Sequence, residues 1–279
     1  MREDFSVDFS HLIDSREFRT DARKAGLLRY PATYMFATLK ALFVYTALGI
    51  PAGIVGIPYT FLVNDIDLLY RVAMWIANAG LRFAGIRIEI GGRENLPAER
   101  RCIFMCNHVS NLDPPVVLPL LPGRCSVLLK KQLMSIPLLG RAMKMGQFVP
   151  VERGGQRDAA EASVAAAAAA LRSGLDIMVF PEGTRSPDGR LSTFKKGPFY
   201  LAMETKALVV PIAVSGTESM MQKGSWRITP SVARVEFLPP VDPAQFRSRE
   251  ALLQAVRGEI ADALPEKMKP LEPGNGSEE

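Results

Sequence analysis

Residues 102–113 read CIFMCNHVSNLD, an apolar run that ends at a polar stretch containing one of the two histidines of the chain. A short continuous apolar run bounded by polar residues is typical of a strand buried on both faces of a sheet. His108 and Asp113 then lie in the loop at the carboxyl end of that strand. The stretch therefore predicts a buried central strand with a polar site at its end.

Similar apolar runs recur along the chain and alternate with helical patterns. They are predicted to be strands at residues 86–90, 126–129, 148–151, 177–180, 208–214 and 232–238. Helices are predicted at residues 158–171, where alanine favours helix formation and close packing on a sheet, and at residues 248–264. This alternation predicts an α/β fold with a mainly parallel central sheet flanked by helices.

His108 and Asp113 have the chemistry of a general base and its orienting partner. Histidine is the side chain whose unperturbed pKa, about 6.5, lies nearest to neutral pH. A carboxylate at Asp113 can accept one ring N–H and leave the other ring nitrogen free to accept a proton from a substrate hydroxyl. Pro114 follows and favours Asp113 as the N-cap of a helix. The alternative is a structural histidine beside an ordinary helix cap.

The composition narrows the class of protein without deciding its partner. The chain has 279 residues, of which 48% are hydrophobic, enough for one substantial core. Its formal charge of +5 favours anionic partners, either phosphate-bearing substrates, phospholipid head groups or nucleic acid. The cysteines are three in number and lack paired metal-ligand spacing, which predicts a reducing compartment and argues against disulfides and zinc.

The N-terminal part of the sequence predicts attachment to a membrane. A basic arm precedes residues 41–63, which contain no charged residue and reach the length of about 20 residues that spans a bilayer. Pro51 and Pro58, with two glycines between them, predict a kink or a break near the middle, which would allow a bent, partly re-entrant hairpin. Residues 68–85 have polar side chains on one helical face and predict a helix at the membrane interface. The alternative is a pair of buried core helices in a soluble protein.

These patterns divide the chain into three parts. We expect a basic arm with membrane-attaching helices at residues 1–85, a catalytic domain at residues 86–265 and a disordered tail at residues 266–279. The basic arm favours a cytoplasmic N-terminus under the positive-inside rule. We expect the protein at the cell membrane with its catalytic domain facing the cytoplasm, which requires an anchor that returns or never fully crosses.

Charged side chains follow three of the predicted strands. His108 with Asp113 follows the first, Arg153 the second, and Glu182 with Arg185 the third. The carboxyl ends of parallel strands lie at one edge of a sheet, where open α/β sheets bind their ligands. We therefore expect one shared site.

Residues 180–186, FPEGTRS, predict a loop that binds an anion. Gly183 lets backbone amides approach a ligand, and Arg185 can hold a phosphate through two parallel hydrogen bonds. Lys195 and Lys196 add positive charge nearby. The alternative is a surface turn with a salt bridge.

Four ordered blocks of the sequence resemble those of the glycerolipid acyltransferases, most closely the lysophosphatidic acid acyltransferase family. The blocks are NHVSNLD at residues 107–113, Arg153, FPEGTR at residues 180–185 and VPI at residues 210–212. The second block departs from the family pattern, because Pro150 stands near the position of the family's aromatic residue.

The resemblance implies that His108, oriented by Asp113, deprotonates the glycerol hydroxyl of lysophosphatidic acid. The alkoxide then attacks an acyl thioester, carried by coenzyme A or acyl carrier protein, to give phosphatidic acid. No metal or cofactor is implied, and the expected partners are these substrates and a phospholipid membrane, with no nucleic acid. The implied substrate-binding residues are Asn107, Ser110, Arg153, Glu182, Gly183, Thr184, Arg185, Lys195 and Pro211.

Other functions stay open at this point. Cys106 lies two residues before His108, so a covalent acyl-cysteine route is one alternative. Others are an acyltransferase that acts on another lysolipid or amphiphilic acceptor, and a lipid-binding membrane protein without turnover. Nucleic-acid binding is disfavoured because the positive charge is not interleaved with an aromatic recognition motif.

Overall fold

The computed structural model describes residues 31–98, 101–136, 139–151, 157–221 and 224–271. The predicted basic arm, residues 1–30, and the end of the predicted tail, residues 272–279, lie outside the described residues. The strands are β1 (Arg87–Gly91), β2 (Cys102–Cys106), β3 (Cys125–Lys130), β4 (Val149–Val151), β5 (Asp176–Val179), β6 (Leu208–Ser215) and β7 (Val232–Phe237). The α-helices are α1 (Pro31–Val63), α2 (Asp67–Phe83), α3 (Asp113–Val117), α4 (Leu139–Met145), α5 (Arg157–Arg172), α6 (Gly197–Thr205), α7 (Thr217–Met220) and α8 (Arg249–Ala263).

The strands form one seven-stranded sheet in the order β1-β7-β6-β2-β5-β3-β4. All neighbouring pairs are parallel except β6 and β7, which are antiparallel. The predicted α/β fold with a mainly parallel central sheet is confirmed, and each predicted strand is present with its ends within one residue. Strand β2, which contains the apolar run of residues 102–106, lies in the centre of the sheet.

Both faces of the sheet are covered, as the continuous apolar runs predict. Side chains alternate along β2, so that Ile103 and Met105 lie in a core shared with α5, α6 and α8. Phe104 lies in the opposite core, which is shared with α2 and α3. The alanine-rich helix α5 is pressed onto the first of these cores, with Ala167 and Ala168 almost fully buried. The alanines of α5 therefore allow the helix to pack closely on the sheet.

The N-terminal helices form a hairpin, but its geometry differs from the one predicted. Helix α1 runs without interruption for 33 residues through Pro51 and Pro58, so the helix is not broken there. Each proline removes only one helical N–H, and the helix has a packing partner along this part of its length. The chain reverses instead at Asn64, which has a φ of 53°. Helix α2 then returns antiparallel to α1.

Small residues let α1 and α2 approach each other closely. A Cβ atom on Gly80 would lie 2.3 Å from the ring of Tyr45, and one on Gly56 would lie 2.8 Å from Leu69. The far side of α1 is apolar and exposed, and Leu62 is 84% exposed. Residues 35–63 of α1 are long and apolar enough to cross a membrane, and little of this stretch is buried. This exposure argues against a core helix of a soluble protein.

The hairpin is bonded to the rest of the fold near both of its ends. Near the start of α1, Thr38 Oγ1 accepts a hydrogen bond from the backbone N–H of Ile228 at 2.8 Å. Near the reversal, Asp67 forms an ion pair with Arg124 at 2.9 Å. One face of α2 packs between α1 and the sheet core, with Tyr70, Ile76 and Leu81 buried. Its other face is exposed and includes Leu68, Trp75 and Phe83. The expectation that this helix lies at a membrane interface therefore stays a prediction.

The ordered chain extends beyond the predicted end of the domain. Residues 266–268 form a 3-10 helix with Met268 buried, contrary to the disordered tail expected from residue 266. The backbone N–H of Leu191 donates to the carbonyl of Met268 at 2.8 Å. This segment therefore packs against the loop that follows β5.

The turn from β6 into α7 has no room for a side chain at Gly216. Gly216 has a φ of +91°, and a Cβ there would lie 2.2 Å from the carbonyl oxygen of Val232, whereas Gly174 has a φ of +93° with open space around it. Replacing either glycine with alanine adds backbone strain of about 1–2 kcal/mol. Gly216→Ala should lose a further 1–3 kcal/mol, roughly, because the backbone must shift. Denaturant unfolding of both variants measures the difference, and equal losses would contradict it.

Candidate active site

His108 and Asp113 meet as the sequence predicts. The ring Nδ1 of His108 lies 2.8 Å from Oδ2 of Asp113. The His108 side chain is 16% exposed, while that of Asp113 is fully buried. No described residue forms a hydrogen bond with Nε2 of the ring. The ring also stacks on Phe180 with a centroid distance of 4.2 Å, which further fixes its orientation.

The Asp113 carboxylate is a buried anion surrounded by donors. Its Oδ2 accepts the backbone N–H groups of Val109 and Ser110, each at 2.8 Å, in addition to the imidazole. Its Oδ1 accepts the hydroxyl of Thr217 at 2.6 Å. Since a carboxylate only accepts, the Nδ1 of His108 carries the proton and Nε2 is the free acceptor. The pair is therefore set up for proton abstraction through Nε2.

The predicted helix cap at Asp113 is wrong. Helix α3 begins at Asp113 itself, its N-cap is Leu112, and that position makes no side-chain capping bond. The Asp113 carboxylate turns back to the amides that precede the helix, because they lie beside the imidazole that it orients. The short loop between the two residues nevertheless forms as expected.

Asn107 links the loop to the neighbouring strand. Its side-chain amide donates to the carbonyl of Val214 at 2.9 Å and accepts from the N–H of the same residue at 2.7 Å. Asn107 is fully buried. Both polar atoms of the amide are therefore used inside the protein, where they replace the strand ladder that ends at Cys106.

Glu182 holds the next loop against His108. Its Oε1 accepts the backbone N–H of His108 at 2.6 Å, and its Oε2 accepts that of Ser192 at 3.0 Å. Burial raises the pKa of Glu182, and the bonds to the two N–H groups oppose the shift only in part. The backbone N–H of Ser186 in turn donates to the carbonyl of His108 at 2.8 Å. The loops after β2 and β5 are thus fastened to each other.

Arg185 belongs to this fastened loop and has an unused donor. Its Nη1 is buried, and no described residue provides a hydrogen-bond partner for it. A buried guanidinium N–H without an acceptor is costly. Thr184 is exposed beside it. Gly183 has a φ of +71°, and the side chain of Lys195 passes within 3.3 Å of where a Cβ would lie.

The remaining predicted residues lie farther from an open surface. The hydroxyl of Ser110 donates to the carbonyl of Met221 at 3.0 Å, and Ser110 is fully buried. Pro211 is buried within β6 opposite Met105, and its carbonyl accepts from Leu238. Like Asn107 and Glu182, Ser110 and Pro211 therefore help to hold the loops in place. Arg153 lies outside the described residues.

The predicted convergence on one edge is seen for the described residues. Strands β6, β2 and β5 are adjacent and parallel, and Thr217, His108 and Glu182 each follow the carboxyl end of one of them. Sequence reasoning missed Thr217, although a polar residue soon after the apolar strand β6 is the same signal that identified His108. No group of three or more His, Cys, Asp or Glu side chains among the described residues is arranged to hold a metal.

The chain is similar to known acyltransferases. A family model described as Acyltransferase matches residues 87–215. A 1-acyl-sn-glycerol-3-phosphate acyltransferase of Cocos nucifera is 30% identical over 203 residues, which cover 72% of this chain and 63% of that protein. One of Limnanthes alba is 32% identical over 195 residues, covering 69% of each chain. This chain therefore spans less than two thirds of the coconut protein.

A solved structure shares the fold. The crystal structure of the 1-acyl-sn-glycerophosphate acyltransferase PlsC from Thermotoga maritima matches with a TM-score of 0.69 and 26% sequence identity. The match covers 82% of this chain and 93% of that chain.

Replacement of Glu182 by glutamine tests the effect of its burial. The folded state retains the Glu182 proton to higher pH than the unfolded chain, whose glutamate pKa is near 4.5. The folded state therefore binds more protons above that pH, and the free energy of unfolding falls as pH rises through the window up to the raised pKa. Glu182→Gln removes this contribution, so wild type should lose stability relative to the variant across the window.

Denaturant unfolding at a series of pH values measures this difference. Glu94→Gln, at an exposed glutamate, is the matched control and should run parallel to wild type. If the free energy of unfolding of wild type rose relative to that of Glu182→Gln as pH increased, the expected sign would be contradicted.

Proposed function

This chain belongs to the acyltransferase family, and we propose that it transfers an acyl group from an acyl thioester to the free hydroxyl of lysophosphatidic acid, giving phosphatidic acid. The observation that carries the proposal is the His108 imidazole, held by Asp113 at 2.8 Å with Nε2 free, beside a loop whose Arg185 has an unused buried donor. The names of the curated relatives and of the solved structure support this substrate.

The first step is proton abstraction by His108. Nε2 accepts the proton of the acceptor hydroxyl while the hydroxyl oxygen bonds to the carbonyl carbon of the thioester. The carbonyl electron pair moves to its oxygen, giving a tetrahedral intermediate. The imidazolium formed at His108 is stabilised by the buried carboxylate of Asp113, as in hydrolase triads.

The second step releases the donor's thiol. The tetrahedral intermediate collapses, the carbonyl reforms, and the C–S bond breaks. The leaving sulfur takes the proton from Nε2 of His108, which returns the base to its neutral form. One ester and one free thiol result, and no metal or cofactor is required because the thioester is already activated. Coenzyme A or acyl carrier protein serves as the carrier of the acyl group.

Arg185 is proposed to hold the phosphate of the acceptor. Its buried Nη1 lacks a partner among the described residues, and a phosphate oxygen would satisfy it through a charge-assisted hydrogen bond. Arg153, Lys195, Thr184 and the backbone at Gly183 complete the proposed acceptor site. Asn107, Ser110, Glu182 and Pro211 contribute by shaping the loops, since their side chains are enclosed by protein.

We further propose that α1 embeds the protein in the cell membrane with the catalytic domain on the cytoplasmic side. The exposed face of α1 is apolar over a length that matches a bilayer. The hairpin is bonded to the domain at Ile228 and at Arg124, so α1 lies along the domain. An anchor held in this way is embedded from the side on which the domain lies and does not carry the domain across the bilayer.

His108→Ala tests the proposed general base. The variant should lose about 10²- to 10⁴-fold in kcat, the usual contribution of general acid–base catalysis. The measurement is release of free thiol from an acyl thioester by purified protein with saturating lysophosphatidic acid. If wild type releases no thiol with either carrier, the chain is a lipid-binding protein without turnover. A panel of other lysolipids in the same assay tests alternative acceptors.

Cys106→Ala is the matched control for that experiment, because Cys106 ends the strand that leads to His108. Its thiol is fully buried, burial raises its pKa, and it donates to the carbonyl of Asn107 at 3.2 Å. A thiol of this kind is a poor nucleophile. The variant should retain most of the activity, and near-complete loss in a folded protein would favour a covalent acyl-cysteine route.

Arg185→Gln tests recognition of the phosphate. Loss of a hydrogen bond between charged groups, worth about 1.5–3 kcal/mol, should raise the KM for lysophosphatidic acid by roughly 10- to 150-fold. The KM for the thioester should change little. Arg190→Gln is the control from the same loop, since the Arg190 guanidinium already donates to the carbonyl of Lys269 at 3.0 Å. Equal effects of the two substitutions would refute the assignment.

A further inference from the structure

Among the described residues, Thr217 is the one group outside the loop of His108 that donates to the Asp113 carboxylate. It is the first residue of α7, is fully buried, and donates its hydroxyl to Oδ1 of Asp113 at 2.6 Å. The other donors to this carboxylate, at His108, Val109 and Ser110, all bind Oδ2 and come from within five residues. The two oxygens are therefore held by different parts of the fold.

This division matters because a carboxylate turns readily about its Cβ–Cγ bond. Such a turn moves both oxygens together, so it would carry Oδ2 away from its three donors. The bond from Thr217 to Oδ1 comes from a separate element and resists that turn. The direction in which Oδ2 faces the Nδ1–H of His108 then depends on Thr217.

The position of Thr217 is itself fixed by its neighbours. The preceding Gly216 packs against the carbonyl of Val232 in β7, leaving no room for a side chain. At the other end of α7, the carbonyl of Met221 accepts the hydroxyl of Ser110. Glu218, next to Thr217, forms an ion pair with Lys267 at 2.9 Å. Helix α7 is thus tied to β7, to the His108 loop and to the C-terminal segment.

From this geometry we infer that Thr217 is a positioning residue for the reaction, acting through Asp113 on the orientation of the His108 imidazole. The kinetic part of this inference rests on the proposed acyl transfer. Because Thr217 is fully buried and its hydroxyl is bonded to Asp113, its contribution belongs to proton transfer in the transition state and appears in kcat. A purely structural threonine, in contrast, would affect stability and leave the kcat of the folded protein unchanged.

Thr217→Val and Thr217→Ser form the test, since valine keeps the shape and serine keeps the hydroxyl. Thr217→Val should lower kcat by roughly 10- to 150-fold, the equivalent of one hydrogen bond to a charged group. The KM values of thioester and lysophosphatidic acid should stay within about twofold of wild type, and Thr217→Ser should restore kcat. Thr205→Val is the control at the other end of β6, where the hydroxyl donates to the carbonyl of Leu201.

A second measurement does not depend on turnover. The chain has only two histidines, so replacing His11 with asparagine leaves His108 as the single imidazole in a spectrum of protein with ¹⁵N-labelled histidine. The Nδ1 proton of His108 should exchange slowly in wild type and in Thr217→Ser, and faster in Thr217→Val. Thr205→Val should match wild type.

The outcomes separate the two proposals. If wild type releases no thiol but the imidazole signal responds to Thr217→Val, the proposed function fails and the positioning role stands. If folded Thr217→Val keeps wild-type kcat and an unchanged imidazole signal, the positioning role is refuted. A rise in acceptor KM alone would make Thr217 a substrate contact, and failure of Thr217→Ser to restore kcat would make it a packing residue; either result overturns the inference.

Discussion

A buried negative charge needs donors around it, and the candidate site is organised by that requirement at Asp113. An ionised carboxylate removed from water is stable only when hydrogen bonds replace its hydration. Asp113 has four such bonds, from a ring nitrogen, two amides and a hydroxyl. Forming them brings the loop after β2 and the helix after β6 together. The same hydrogen bonds that stabilise the buried carboxylate also orient His108.

Most of the motif residues hold the loops. Asn107 replaces the end of a strand ladder, Glu182 binds the backbone of His108, and Ser110 binds the end of α7. Their polar atoms are used within the protein. The open positions are fewer, namely Nε2 of His108 and the loop around Gly183 to Arg185. A sequence motif of this kind thus encodes a loop shape in addition to the groups that meet the substrate.

The sequence predicted the sheet and the meeting of His108 with Asp113 because both depend on strong local signals. A continuous apolar run such as residues 102–106 is stable as a strand buried on both faces of a sheet. Parallel strands place their carboxyl ends at the same edge of that sheet. Thr217 was missed because a lone threonine after a strand has many uses, and its partner lies 104 residues away. The path of α1 was mispredicted because the local effect of Pro51 was weighed without the packing of α2 beside it. The cap at Asp113 was mispredicted because a carboxylate can bind preceding amides as well as following ones.

The two attachments of the helical hairpin, at Ile228 and Arg124, have a consequence for how reactants arrive. A domain fixed to its anchor at two separated points cannot swivel about a single tether. With α1 in the bilayer as proposed, the mouth of the site keeps a constant height and tilt relative to the lipid surface. An acceptor diffusing laterally within one leaflet then always meets the imidazole from the same side, and its search is two-dimensional.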